Sequence, residues 1–209
     1  MLSIGYRLQF EPFNREMMRL GQQKVYGRVQ EIECGNGFRL GDDMDTWRLK
    51  KDLAGGGGLM DMGVYAVQSA RHITGEEPLY VTAREEKSRP DIFTEVDETI
   101  YFTMEFPGGA IAKGVSSYNK NLNYLKVKAE NGWFELSEAY RYGGMVGSTC
   151  DGSMPFDGNL NQQALQMDDF AQCILQGKTS CVPGEMGLKD LKVIEAIYRS
   201  LGSGKRERV

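Results

Sequence analysis

Histidine is almost missing from this chain: His72 is the only one in 209 residues. One imidazole cannot supply the multi-histidine ligand sets of zinc enzymes, and Cys34, Cys150, Cys173 and Cys181 form no C-x-x-C pair to replace them. No metal site is expected. The cysteine spacing supports no disulfide framework in a chain this long, so reduced thiols in a cytoplasmic setting are expected. No apolar run approaches membrane-spanning length, and Met1-Leu-Ser-Ile lacks the basic flank and apolar length of a signal peptide. A basic excess is lacking too. Lys and Arg number 25 against 29 Asp and Glu, and the one basic cluster (Lys205, Arg206, Arg208) is a short tail, so nucleic acid is not the expected partner. Ser116-Ser117 has no histidine near it in sequence, which leaves a serine hydrolase without its usual base. With 41% hydrophobic and 26% charged residues, the composition is that of a soluble globular domain.

The periodicities then set out the elements. Ile4 to Phe10 reads as a short strand. Pro12 stands where a first-turn proline opens a helix, with Phe13, Met17 and Leu20 on one face and an end near Gly21. Val25 to Phe38 is extended, residues 39–57 form a long loop, and a helix follows over residues 58–74. Beyond residue 79 the period is two: Ile100, Phe102, Met104 and Phe106 alternate with Tyr101, Thr103 and Glu105, and Leu125, Val127 and Ala129 alternate with Lys126, Lys128 and Glu130. Asn131-Gly132 is a hairpin signal. Residues 143–160, rich in Gly, Ser and Asp, read as a loop. Two helices close the chain, striped by Ala164, Met167, Ala171 and Ile174 and by Leu191, Ile194, Ile197, Tyr198 and Leu201. The fold class expected is α+β: an open, mostly antiparallel β-sheet with helices packed on one face. The other face carries Tyr101, Tyr118, Tyr124 or their neighbours, and such an open aromatic face predicts a homo-oligomer.

One stretch carries chemistry. Gly55-Gly56-Gly57-Gly58 empties into a helix on which Asp61 and Tyr65 stand at i and i+4, one turn apart on a shared face. A glycine run at a helix start lets another molecule approach the backbone, with N–H groups open to it. No Lys-Ser/Thr follows, so this is no P-loop. A phenol can exchange a proton with an alcohol or carbonyl oxygen if a cation lowers its pKa, and a carboxylate one turn away can orient substrate or cation. The competing explanation is a core helix whose polar stripe, Asp61, Tyr65, Gln68 and His72, faces water. His72 lies about 16 Å along the axis from Asp61, too far to share its site, and is expected to be a partly exposed surface residue. Arg48, beside Trp47, could bind a phosphate or a sugar hydroxyl. Tyr6 and Arg7 alternate across the first strand, so at most one of them faces a given site.

These pieces, in order, are Gly5-Tyr-Arg-Leu-Gln-Phe-Glu-Pro12, Trp47-Arg48, the glycines running into Leu-Met-Asp61-Met-Gly-Val-Tyr65, Gly75-Glu-Glu-Pro78, Phe106-Pro-Gly-Gly and Pro183-Gly-Glu. Together they resemble the C-terminal domain of the Gfo/Idh/MocA family of NAD(P)-dependent oxidoreductases, in the glucose–fructose oxidoreductase-like branch. The resemblance implies an N-terminal Rossmann domain and a Glu-Lys-Pro lysine, neither of which occurs here, and a C-terminal domain that binds substrate and forms oligomers. Many members place a histidine one turn after the aspartate; here Tyr65 takes that position. Tyr65 and Asp61 are thus the expected catalytic pair, Arg48, Tyr6 and Arg7 the substrate contacts, and Gly56 and Gly57 the cofactor contacts. Residues 1–209 form one substrate-binding and oligomerisation domain, with 1–24 leading in from the missing half and 25–209 supplying sheet and covering helices. The implied substrate is a carbohydrate or polyol and the cofactor NAD or NADP, held tightly only by the intact enzyme, so that this chain alone is expected to be inactive. A non-catalytic carbohydrate-binding or scaffold protein is the alternative, and an in-frame G-x-G-x-x-G upstream of Met1 separates the two.

Overall fold

Alternation of apolar and polar residues builds the centre of the molecule, which a computed structural model describes over residues 1–209. In chain order the elements are α1 (Pro12–Gln22), β1 (Val29–Gly37), the short α2 (Lys51–Ala54), α3 (Val64–Thr74), β2 (Tyr80–Glu86), β3 (Thr99–Glu105), β4 (Ile111–Ser117), β5 (Leu122–Ala129), β6 (Gly132–Ser137), β7 (Val146–Thr149), β8 (Gly152–Ser153), α4 (Gln162–Gln176), α5 (Gly184–Ser203) and β9 (Glu207–Arg208). The strands form one open sheet in the order β8-β7-β6-β5-β1-β4-β3-β2-β9. Every pairing is antiparallel except β1 with β4, which run parallel with Glu31 opposite Ile111. This is the α+β architecture expected from the sequence.

One face of the sheet is apolar. Ile32, Val81, Ile100, Met104, Leu125 and Phe134 lie there, fully buried beneath α1, α3 and α5. The first helix starts as its proline predicts, and the carboxylate of Glu11 caps it by accepting the N–H groups of Phe13 and Asn14 at 3.0 and 2.8 Å. A smaller cluster of Leu40, Leu49, Phe93, Val96 and Tyr118 packs beneath the loop between β1 and α2. The opposite face of the sheet is polar and aromatic. There the Arg84 guanidinium lies 3.8 Å from the Tyr101 ring centroid, and Tyr101 donates to Glu86 at 3.1 Å.

Four expectations need correction. Residues 4–10 are no strand: Ser3 makes one bridge to Pro183 and Arg7–Phe10 form a 3-10 turn, because the Arg7 side chain is drawn inward to buried carbonyls. The loop over 143–160 contains the β7–β8 hairpin, built from backbone bonds that a Gly- and Ser-rich sequence does not advertise. Tyr118 leaves the aromatic face; it sits past the end of β4, wholly buried. The stripe on α4 is not buried either. Met167 and Ile174 are 70% and 55% exposed, and the helix is held instead through Gln162, Cys173 and a bond from Gln166 to the Ile4 carbonyl.

Candidate active site

The glycine run is where the chain turns from α2 into the central helix. Gly55 takes a left-handed φ of 75° that ends α2, and Gly56, Gly57 and Gly58 are buried. Leu59–Gly63 then form a π-helical turn that leads directly into α3. A side-chain carbon on Gly57 would collide with the backbone of Asp97, and one on Gly56 with the Tyr198 hydroxyl. The N–H groups of Gly57 and Leu59 donate to the two carboxylate oxygens of Asp97, each at 2.8 Å. The Gly57 N–H is therefore taken by Asp97 rather than open to a ligand, while the Gly56 N–H makes no bond to that carboxylate. Gly57 admits the backbone of Asp97, in the segment that leads into β3, and the Asp97 carboxylate lies against the turn.

Asp61 projects from the π-helical turn, about one-third exposed. Its Oδ2 accepts two donors, Arg48 Nε at 3.1 Å and the Tyr118 hydroxyl at 2.8 Å. Burial, reinforced by the bond to Asp61, pushes the Tyr118 phenol well above its usual range, so it remains a proton donor. Arg48 is in turn stacked 4.6 Å from the centroid of the exposed Trp47 ring. Tyr65 leans on the Tyr140 ring, with centroids 5.9 Å apart, and the Arg7 guanidinium carbon lies 5.5 Å from its own centroid. Asp61 and Tyr65 line one cleft of about 150 Å³ together with Tyr6, Arg7, Val64 and Gln68. The polar stripe on this helix does not face open water; the segment Gly5–Leu8 roofs it.

Tyr6 and Arg7 both reach this cleft, contrary to the strand alternation, because a tight turn carries them. Their polar ends are already engaged. Tyr6 donates to Asp190 at 2.5 Å, and burial followed by that carboxylate raises its pKa far above normal. Asp190, 1% exposed, also accepts from Arg71 and from Gln68 at 3.2 Å. Arg7, 6% exposed, donates to the Tyr140 and Arg141 carbonyls at 2.5 and 3.0 Å and to Gln162. His72 stands outside the cleft, as its axial distance required. It is partly exposed, as expected, and bonded to Gln9, and burial together with the Arg71 charge pushes its imidazole down to about 4.

Sequence alone did not find Tyr118 or Asp97. The one available signal was Asp97-Glu98, two acids set directly against an apolar alternation where charge is out of place. No group of three or more His, Cys, Asp or Glu side chains is placed to hold a metal, and no helix is long and apolar enough to cross a membrane.

Residues 14–136 match the GFO/IDH/MocA C-terminal domain. A D-xylose 1-dehydrogenase [NADP(+)] of Haloarcula marismortui is 26% identical over 95% of this chain and 58% of its own length. A D-xylose 1-dehydrogenase (NADP(+)) 2 of Haloferax volcanii is 27% identical over 97% of this chain and 63% of its own. Among solved structures, the aldose-aldose oxidoreductase from Caulobacter crescentus, complexed with glycerol, superposes with a TM-score of 0.93 at 40% identity. That match covers 100% of this chain and 64% of the other. The chain thus spans about three-fifths of the length of the relatives it matches.

Proposed function

The chain belongs to the GFO/IDH/MocA C-terminal domain family, and from that premise we propose that it is the substrate-binding and oligomerisation domain of an NAD(P)-dependent oxidoreductase acting on a sugar or polyol. The observation that carries this reading is the shared cleft of Asp61 and Tyr65. The xylose dehydrogenases and the aldose-aldose oxidoreductase support the substrate class.

The geometry supports a role for each residue. Tyr65 exchanges the proton of the reacting hydroxyl, because its phenol lines the cleft and, unlike that of Tyr6, is not tied to a carboxylate. Asp61 orients the substrate. Its Oδ2 is held by Arg48 and Tyr118, while Oδ1 has no side-chain partner and is available to a substrate hydroxyl. Arg48 and the Trp47 ring stand beside Asp61 as the next contacts for a polar, ring-shaped ligand. The walls formed by Tyr6 and Arg7 are rigid, since their polar ends are tied to Asp190 and to the Tyr140 and Arg141 carbonyls.

The N–H groups of Gly57 and Leu59 are bonded to the Asp97 carboxylate and so are not offered to a dinucleotide phosphate. The cofactor's phosphates are held elsewhere in the intact enzyme, and the nicotinamide supplies the hydride acceptor or donor. Tyr65→Phe tests the assignment. In the full-length protein it lowers kcat by roughly 100-fold or more, the usual span for loss of a general acid/base, while NAD(P) binding stays within about twofold. Near-normal turnover removes Tyr65 from the mechanism.

A further inference from the structure

A second, buried set of bonds runs between the acids that precede β3 and the turn that carries Asp61, and the chemistry above makes no use of it. Asp97 is 6% exposed and Glu98 is 0% exposed. Oδ1 of Asp97 accepts the Gly57 N–H at 2.8 Å and the Tyr198 hydroxyl at 2.7 Å, and Oδ2 accepts the Leu59 N–H at 2.8 Å. The Asp97 carbonyl accepts the Gly58 N–H at 3.3 Å, and the Asp61 N–H in turn donates to the Gly57 carbonyl at 3.2 Å. Glu98 works toward the other side. Its carboxylate accepts the Ser88 and Arg89 N–H groups and Arg89 Nε, and Arg89 donates to the Tyr118 carbonyl at 2.7 Å. The Glu98 carbonyl accepts the Tyr118 N–H at 2.8 Å. Two consecutive residues therefore grip the two ends of the Asp61–Tyr118 hydrogen bond.

A need for helix capping alone does not call for this arrangement. The open N–H groups at a helix start are ordinarily met by a local Ser, Thr, Asn or Asp, which needs no buried charge. Here the local positions are glycines, and a carboxylate some 40 residues away does the capping despite the desolvation it suffers. What the distant cap adds is registration: the turn is referred to the sheet rather than to itself. We propose that Asp97 is a positioning residue for this site, fixing where Asp61 meets Tyr118 and Arg48, with Glu98 holding the Tyr118 end through Arg89. This rests on Asp61 as the orienting group of the proposed function.

Asp97→Asn keeps the shape but turns an NH₂ group toward one backbone N–H. In the full-length protein it lowers kcat by about tenfold, with NAD(P) affinity within about twofold, and in an Asp61→Asn background the same change costs less than about threefold. Equal losses in both backgrounds overturn the proposal, since they show an effect that does not pass through Asp61. Turnover unaffected by Asp61→Asn sinks the proposed function instead, and an arm independent of activity then decides. The Asp61 carboxyl ¹³C resonance and the Tyr118 ring resonances move in Asp97→Asn, whereas wild-type positions for both refute positioning. Where Asp97→Asn fails to fold, Tyr198→Phe removes one donor from Asp97 and leaves both backbone bonds. It shifts the Asp61 resonance and lowers kcat by about threefold; no change in either counts against the proposal.

Discussion

His72 and Glu77 lie within one short stretch yet set two different acid limits on the protein. A histidine lowered to about 4 is neutral in the folded protein, while in the unfolded chain it titrates near 6.5. Between those values the unfolded state binds more protons, so the stabilisation present above pH 6.5 is lost as the pH falls toward 4. That loss amounts to at most roughly 3 kcal/mol. Glu77, lowered to about 2 chiefly by its hydrogen bond with Arg71, weakens the protein only in a later window, between about 4.5 and 2. Urea midpoints at pH 7 and pH 4.5 should therefore differ in the wild-type protein and differ much less in His72→Gln. An unchanged slope in the variant assigns the acid loss to other groups. At this scale the sequence was informative about chemistry and silent about partners. Asp61 and Tyr65 were legible because they are four residues apart, whereas Tyr118 bonds Asp61 from 57 positions away and Asp97 reaches Gly57 and Leu59 from 40 and 38.

The elements were legible where burial is one-sided. In β3, Ile100, Phe102 and Met104 are buried and alternate with half-buried Tyr101 and Thr103, so the pattern in the sequence is the pattern in the structure. Ile4–Phe10 shows the same alternation and forms no strand, since a few residues can satisfy period two while a buried arginine dictates the bend. Helix α4 was found by its stripe, yet periodicity does not tell whether a stripe is covered. The glycine turn gives an element-scale prediction. Gly57→Ala drives a carbon into the Asp97 backbone, which cannot swing aside, and should destabilise the protein by about 1–3 kcal/mol. Gly41→Ala, with nothing within 4 Å of the added carbon, should leave the denaturation midpoint in place. Equal behaviour of the two variants contradicts the close approach of turn and strand.

For the whole molecule, the alternation along the strands pointed to a second, aromatic face of the sheet, from which Tyr118 is now removed. Tyr101, Val115 and Tyr124 line a shallow groove of about 580 Å³ there, bordered by Glu33, Arg84 and Lys113. We propose that this face meets a second copy of the chain. Val115→Asp places a charge at its centre without touching the buried side, and should convert a dimer or larger species to monomer in sedimentation with little change in thermal midpoint. An unaltered sedimentation coefficient places the contact elsewhere.

The one parallel pairing has a consequence for how the molecule comes into being. Glu31 and Ile111 are neighbours in space but some eighty residues apart along the chain, and everything between them, the glycine turn, Asp97 and Glu98 included, has to be gathered before β1 and β4 can zip. The β5–β6 hairpin needs only its local turn. Loop-closure entropy makes the long-range step the slow one. Since Gly58, Asp97 and Tyr118 converge at that junction, a nascent or partly refolded chain has its scaffold before its cleft, and closure of the Asp61–Tyr118 bond should trail recovery of helical signal.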